Sequence, residues 1–223
     1  MTGVTAIVPM RHSSERVPGK NYRLLGNRPL FHHVVSVLLT TPEIEQVIID
    51  TDSPIVVEQT RESFPSVTLV DRPEHLRDGH ISMNDVLSNT LQFAVHRTIL
   101  QTHSTNPFVR SETFGEAIRA YQTTDHDAIF GVTRIQGRLW TKDLRPVNHD
   151  PAVLARTQDL PPIFFENSCF YVFDRDEFVQ TGNRLGRNPG VVEVPAIEAV
   201  DIDEESDFKL AEAIEAAGIV VAG

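Results

Sequence analysis

The chain has one cysteine among its 223 residues, Cys169, so no disulfide can form within it and a reducing compartment, the cytoplasm, is expected. No apolar run approaches the roughly 20 residues that a membrane-crossing helix needs. After Met1-Thr2-Gly3 comes a β-branched run that stops at Pro9, which does not read as a signal peptide. No membrane partner is therefore expected. Positive charge is scarce as well: 20 Lys and Arg stand against 31 Asp and Glu, for a net charge of −11. Binding nucleic acid along its length needs a cationic footprint that displaces counterions from phosphates, so no nucleic-acid partner is expected either. The nine histidines form no H-E-x-x-H or other close zinc pattern, and there is no Walker A or G-x-G-x-x-G sequence. There is no internal repeat and no low-complexity tract.

What the chain has is alternation. Its 40% hydrophobic content allows a sizeable core. Val4 to Pro9, Val47 to Asp50, Val67 to Val70, Thr98 to Thr102, Ala128 to Thr133 and Ser168 to Phe173 read as strands. Between them, helices are expected from Pro29 to Leu39, from Ser53-Pro54 (an N-cap followed by proline at the first helical position) to about Phe64, from Met83 to His96, and from Ser111 to about Tyr121. Glu204 to Ala217 carries acids in its first turn and Gly218 just past its end, the signals of a last helix. This order predicts an α/β fold, a mainly parallel sheet with helices on both faces. In such sheets ligands sit at the carboxyl ends of strands, so the loops after Pro9, Asp50, Asp71 and Thr102 should share one rim. The rhythm breaks between Arg134 and Asn167, a polar, proline-bearing stretch with the single tryptophan, Trp140. A structureless loop of that length is improbable in a compact domain. It reads as an excursion from one domain of residues 1–223, a hairpin that meets a second subunit.

Two clusters carry chemistry. Met10 to Asn21 (MRHSSERVPGKN) holds Arg11, Arg16 and Lys20 against only Glu15, with hydroxyls at Ser13 and Ser14 and a rigid Pro18-Gly19. Such a loop, leaving the first strand, can fold over a triphosphate and neutralise charge on departing pyrophosphate; by spacing alone it can equally be a solvated basic loop. Asp201 and Asp203 alternate on an extended segment with Ile202 turned to the core, which suits a hard-metal site or a pair of surface acids. Glu204, Glu205 and Asp207 are expected to serve the helix N-terminus. Cys169, in an apolar run, is expected to be an inert buried thiol, and His32-His33 to be structural.

IVPMRHSSERVPGKN resembles the N-terminal signature of the acylneuraminate cytidylyltransferases, the CMP-sialic acid synthetases. Pro9, Arg11, Ser14, Arg16, Pro18, Lys20 and Asn21 match it. Met10 and Ser13 stand where small Ala and Gly are usual, and Glu15 replaces a lysine, leaving Arg16 as the candidate for its role. Asp50-Thr51-Asp52 is similar to the family's T-D-S segment. Arg72-Pro73 with Leu76, Asp78 and Ser82 is similar to its R-P-x-x-L-x-x-D block, and Gln101 to Arg110 to its Q-P-T-S-P-L-R loop. Arg156 to Pro161 followed by Asn167 resembles its R-x-Q-x-L-P … N-G region, with Ser168 in the glycine's place, and Asp201 to Glu212 its D-I-D ending.

The resemblance implies a three-layer, nucleotide-diphospho-sugar transferase-like fold and a homodimer formed through the excursion at about 134–167. It implies transfer of CMP from CTP to the anomeric hydroxyl of a 2-keto-3-deoxy sugar acid, with Mg2+ (Mn2+ as substitute) held by Asp201 and Asp203. Carried onto this sequence, catalysis falls to Arg11, Arg16, Lys20 and Asp203, and nucleotide binding to Arg11, Ser14, Arg16, Lys20, Asn21, Arg72 and Ser82. The sugar falls to Gln101, His103, Arg156, Gln158 and Asn167. No side chain presents itself as the general base. A transferase using another nucleotide or acceptor, and a catalytically silent nucleotide-binding protein, for which Glu15 argues, remain open at this stage.

Overall fold

A computed structural model describes residues 3–219. In chain order the elements are β1 (Val4–Met10), β2 (Leu24–Leu25), β3 (Arg28–Pro29), α1 (Leu30–Thr40), β4 (Ile44–Thr51), α2 (Pro54–Ser63), β5 (Thr68–Asp71), α3 (Met83–Thr90), β6 (Thr98–Thr102), α4 (Ser111–Thr123), β7 (Ala128–Ile135), β8 (Ile163–Asp174), α5 (Arg175–Thr181), β9 (Pro189–Glu193) and α6 (Glu205–Ala216). Seven strands form one sheet in the order β5-β4-β1-β6-β8-β7-β9. All run parallel except β8, which is antiparallel to both β6 and β7.

Strand alternation divides the core into two layers. Val4, Ala6, Val8 and Met10 of β1 pack with Phe31, Val34 and Leu38 of α1 and Phe114 and Ile118 of α4 on one face. Ile7, with Ile48, Ile99, Tyr171 and Phe173, packs on the other against Leu87 of α3 and Phe178 of α5. A third cluster joins Val17, Leu25, Leu30, Phe108 and Ile202 to Phe208, Ala211 and Ile214 of α6. It pins the basic loop and the D-x-D segment to the same helix. No helix among the described residues is long and apolar enough to cross a membrane.

Three expectations need adjustment. The helix expected from Met83 to His96 stops at Thr90 and continues only as a single 3-10 turn to Phe93. Neighbouring strands capture the backbone there: Gln46 Oε1 accepts from Val95 N at 2.9 Å and Thr5 Oγ1 from His96 N at 3.3 Å. Second, β8 begins at Ile163, five residues before the expected Ser168, and pairs with β7 out to Ile135↔Ile163, so strand pairing takes up both ends of the 134–167 excursion. The remainder is tied by Asn148, which donates to the carbonyls of Gly137 (2.8 Å) and Pro161 (3.1 Å). Third, α5 and β9 were not foreseen. The first is a short helix capped by Asp174, and the second, PGVVE, opens on residues that read as a turn.

Candidate active site

The loops that follow β1, β5 and β6, together with Asp203, enclose a cleft of about 410 Å³ at the carboxyl ends of the parallel strands. The loop after β4 supports it from outside, where Asp52 Oδ1 accepts from His12 N at 2.7 Å and Ser53 Oγ lies 2.9 Å from His12 Nδ1. The four expected rim loops therefore meet.

Of the residues singled out in the sequence, Arg11, Ser14, Arg16, Lys20, Asn21, Arg72, His103 and Asp203 line this cleft. They do not all face it with free groups. Asn21 is buried, donating to the Arg11 carbonyl at 2.7 Å and accepting from Ser104 Oγ at 2.7 Å. Ser14 Oγ accepts from Val17 N at 3.3 Å. These two side chains shape the loop and leave Arg11, Arg16 and Lys20 as its cations. Gly79 lets Arg11 in closely, since a Cβ at that position would lie 2.9 Å from Arg11 Nη1. Arg72 is different again. Its guanidinium is spent on Asp50, with Nε 2.5 Å from Oδ1, and both side chains are buried.

The D-x-D segment supplies Asp203 to the acidic side of the cleft, while Asp201 is not among the lining residues. Ile202 is fully buried, as its alternation implies, and its carbonyl accepts from Lys20 Nζ at 2.6 Å. Asp203 Oδ1 lies 2.7 Å from Arg16 Nη2 and 3.8 Å from Lys20 Nζ. Burial lowers the Lys20 pKa, against which Asp203 and then Asp201 act. Burial raises the Asp201 carboxyl, opposed by a hydrogen bond from Thr105 and reinforced by Asp203. Asp201 Oδ1 is buried with no hydrogen-bond partner, a position a native protein rarely tolerates without a ligand or ion. Two carboxylates with one unsatisfied oxygen fit Mg2+, which takes one or two protein carboxylates and fills its remaining positions with water and substrate phosphates. No group of three or more His, Cys, Asp or Glu is clustered for metal binding among the described residues, so the phosphates would have to complete the shell. Beside this segment, Glu204 and Asp207 form a reciprocal capping box at the start of α6, and Glu205 pairs with Arg23 at 2.8 Å.

His103 lines the cleft as a neutral ring. Burial pushes its pKa down to about 4, with Arg184 and then Lys20 adding to the shift. Gln101 Nε2 donates to His103 Nε2 at 2.9 Å, which puts the ring proton on Nδ1. Gln101 itself is fully buried and outside the cleft lining; its Oε1 accepts from Arg184 Nη1 at 2.6 Å. Arg184 was missed in the sequence because it sits on an irregular loop with no motif around it.

The remaining expected residues lie away from the cleft lining. Ser82 caps α3, accepting from Asp85 N at 3.2 Å and donating to Asp85 Oδ2 at 2.7 Å. Asn167 is buried; it donates to Thr133 Oγ1 at 3.1 Å and accepts from Cys169 N at 3.2 Å, holding an irregularity where β7 slips register between Phe130 and Val132. Ser168 there has φ 59°, in the left-handed region that favours glycine. Arg156 and Gln158 are exposed on the excursion, Arg156 pairing with Asp159 at 2.7 Å. Cys169 is fully buried and its thiol pKa is pushed up by burial, and His33 is buried against the Leu25 carbonyl at 3.1 Å.

A family described as Cytidylyltransferase matches residues 5–223. The chain belongs to that family. It is 25% identical over 224 residues to a CMP-N,N'-diacetyllegionaminic acid synthase of Legionella pneumophila, covering 94% of each chain. It is 24% identical over 216 residues to N-acylneuraminate cytidylyltransferase A of Danio rerio, covering 94% of this chain and 50% of that protein. It thus spans about half the length of the fish relative and nearly all of the Legionella one. Among solved structures, CMP:2-keto-3-deoxy-manno-octonic acid synthetase complexed with CTP superposes with a TM-score of 0.70 at 14% identity, covering 97% of this chain and 100% of that one. A 4-diphosphocytidyl-2C-methyl-D-erythritol synthase from Anaerococcus prevotii gives 0.70 at 13% identity, covering 96% of both. At such identities these two establish the fold.

Proposed function

We propose that this cytidylyltransferase transfers CMP from CTP to the anomeric hydroxyl of a 2-keto-3-deoxy sugar acid and releases pyrophosphate. The observation that carries the reading is the convergence of Arg11, Arg16 and Lys20 with Asp203 in one cleft at the strand ends of a family fold. In the resting cleft Arg16 and Asp203 neutralise each other. A triphosphate gives Arg16 a second anionic partner, and Lys20, whose ammonium is disfavoured by burial, gains charge stabilisation from the phosphates. The acceptor hydroxyl attacks the α-phosphorus, the bond to the β-phosphate oxygen breaks, and the loop cations meet the charge that grows on the leaving pyrophosphate. The chain thereby acts mainly by positioning and by charge. Asp201 and Asp203 would hold Mg2+, which supplies charge neutralisation to the triphosphate when bound.

A homodimer is part of the same proposal. Leu144, Leu154 and Phe165 are 77%, 92% and 58% exposed on the excursion and the adjoining strand, an apolar surface that a second copy would cover. Arg156 and Gln158 on that excursion would reach a sugar only as contributions to the partner's cleft. The reduced, buried Cys169 suits a cytoplasmic setting. Pyrophosphate release measured with CTP, ATP, GTP and UTP against a panel of sialic, legionaminic, pseudaminic and Kdo-type acids tests the reading. CTP-dependent release with at least one acid is expected, and release that needs no acid, or follows another nucleotide, overturns it.

A further inference from the structure

Nine of the 20 lysines and arginines form no ion pair with a carboxylate among the described residues. Arg184 is one of them inside the fold. Its guanidinium stacks on the Tyr171 ring, with Cζ 3.6 Å from the centroid, and Nη1 donates to Gln101 Oε1 at 2.6 Å. No Asp or Glu among the described residues forms an ion pair with it. Glu166, the acid whose charge bears on it, accepts from the Tyr171 hydroxyl, which also lies 3.3 Å from Ser168 Oγ. The stack and the Gln101 bond fix the plane of the guanidinium and leave most of its five N–H donors unspent.

Arg184 does not itself line the cleft, but it sits one side chain behind its wall. Gln101 ties Arg184 to His103, a cleft wall, and His103 feels the charges of both Arg184 and Lys20. Arg11, Arg16 and Lys20 occupy the triphosphate side. Arg184 is then a separate cation, held rigid by stacking, next to a neutral ring whose Nδ1 proton is a donor. A planar fork beside a neutral N–H is the chemistry that receives a carboxylate.

We propose that Arg184, positioned by Tyr171 and Gln101, binds the carboxylate of the acceptor sugar acid. The inference rests on the cytidylyl-transfer reading above and adds to it the residue that selects acids over neutral sugars.

The test crosses a protein change with a ligand change, which isolates the pairwise interaction. Each sugar acid that supports turnover is compared with its methyl ester in the wild type and in Arg184→Gln, with kcat/KM and the KM for CTP measured for both. The wild type should prefer acid over ester, and Arg184→Gln should shrink that preference on the order of 10- to 100-fold, the range for a charge-assisted hydrogen bond. The KM for CTP should stay within about twofold, because the triphosphate cations are untouched. Arg184→Lys, which keeps the charge without the fork, should show a preference between the two, and it carries the comparison where the glutamine variant does not fold. An unchanged acid-to-ester ratio in an active variant overturns the assignment and leaves Arg184 a structural prop, with cytidylyl transfer intact. A wild type that releases no pyrophosphate with any acid overturns the transfer reading and this assignment with it.

Discussion

The buried pair of Asp50 and Arg72 gives the sharpest quantitative expectation. Asp50 is 0% exposed and Arg72 2%. Arg72 Nε lies 2.5 Å from Asp50 Oδ1 and its Nη2 donates to the Asp50 carbonyl at 3.2 Å, while Thr90 Oγ1 donates to Oδ2 at 2.6 Å. Replacing Arg72 with Met keeps much of the volume and strips Asp50 of its cation, leaving a buried carboxylate with only the Thr90 hydroxyl. Breaking a buried pair in this way costs about 3–5 kcal/mol. At ~2–4 °C per kcal/mol for a chain of this size, Tm should fall by roughly 6–20 °C. The double variant Asp50→Leu with Arg72→Met should recover most of that loss, since well-packed apolar replacements of buried pairs are often neutral. Urea denaturation and thermal unfolding read both, with CTP affinity measured alongside. A stability loss below ~1 kcal/mol together with a collapse in CTP affinity would refute the reasoning, for it would mean that Arg72 serves the nucleotide and not Asp50.

Four further expectations concern the cleft and the dimer. Arg16 and Asp203 form an exposed pair, worth at most ~1 kcal/mol, so Arg16→Ala should barely move the denaturation midpoint. It should nevertheless cut kcat on the order of tenfold to a thousandfold, from the ~1.4–4 kcal/mol of one well-placed donor, while Glu15→Lys keeps or raises activity; a folded but inactive Glu15→Lys would give Glu15 a positive role. Asp203→Ala should abolish turnover with the fold intact, and full activity in excess EDTA would remove the metal assignment. For Asp201 the fold disfavours the charged form, so its contribution to stability is present at low pH and lost as pH rises through its raised pKa. Asp201→Asn should therefore unfold at higher denaturant than the wild type at neutral pH without metal, with the gap closing on acidification; a lower midpoint contradicts this. Light scattering should give a mass near twice 25.0 kDa, and Leu154→Asp should shift it toward the single chain with loss of turnover; a fully active wild-type monomer would end the dimer proposal.

Much of the architecture was legible because strand and helix signals are local. β1 and β4 announce themselves as β-branched runs and α2 by Ser53-Pro54, and parallel strands put their following loops on one rim. The same locality made the basic loop visible, since Arg11, Arg16 and Lys20 lie within ten residues of one another. The capping box of α6 and the buried Ile202 follow from neighbours three residues apart or fewer.

What escaped is where polar side chains spend their hydrogen bonds, because that is decided between distant segments. Arg72 and Asp50 stand 22 positions apart, each on a strand-end segment similar to the family's, with Arg72 expected to bind nucleotide, and only the packed sheet shows that they satisfy each other. Asn167 is a similar case, its amide committed to Thr133 across the strand pair while Ser168 takes the left-handed backbone. Arg184 inverts the pattern: no motif marks it, yet its charge is left without an acid. Burial makes that distinction functional, since a buried polar group must be satisfied by its own chain or by a ligand. Asp50 and Asn167 are satisfied by the chain. Asp201 Oδ1 is not, and Arg184 has donors to spare, which is why a metal is proposed for the first and a carboxylate for the second.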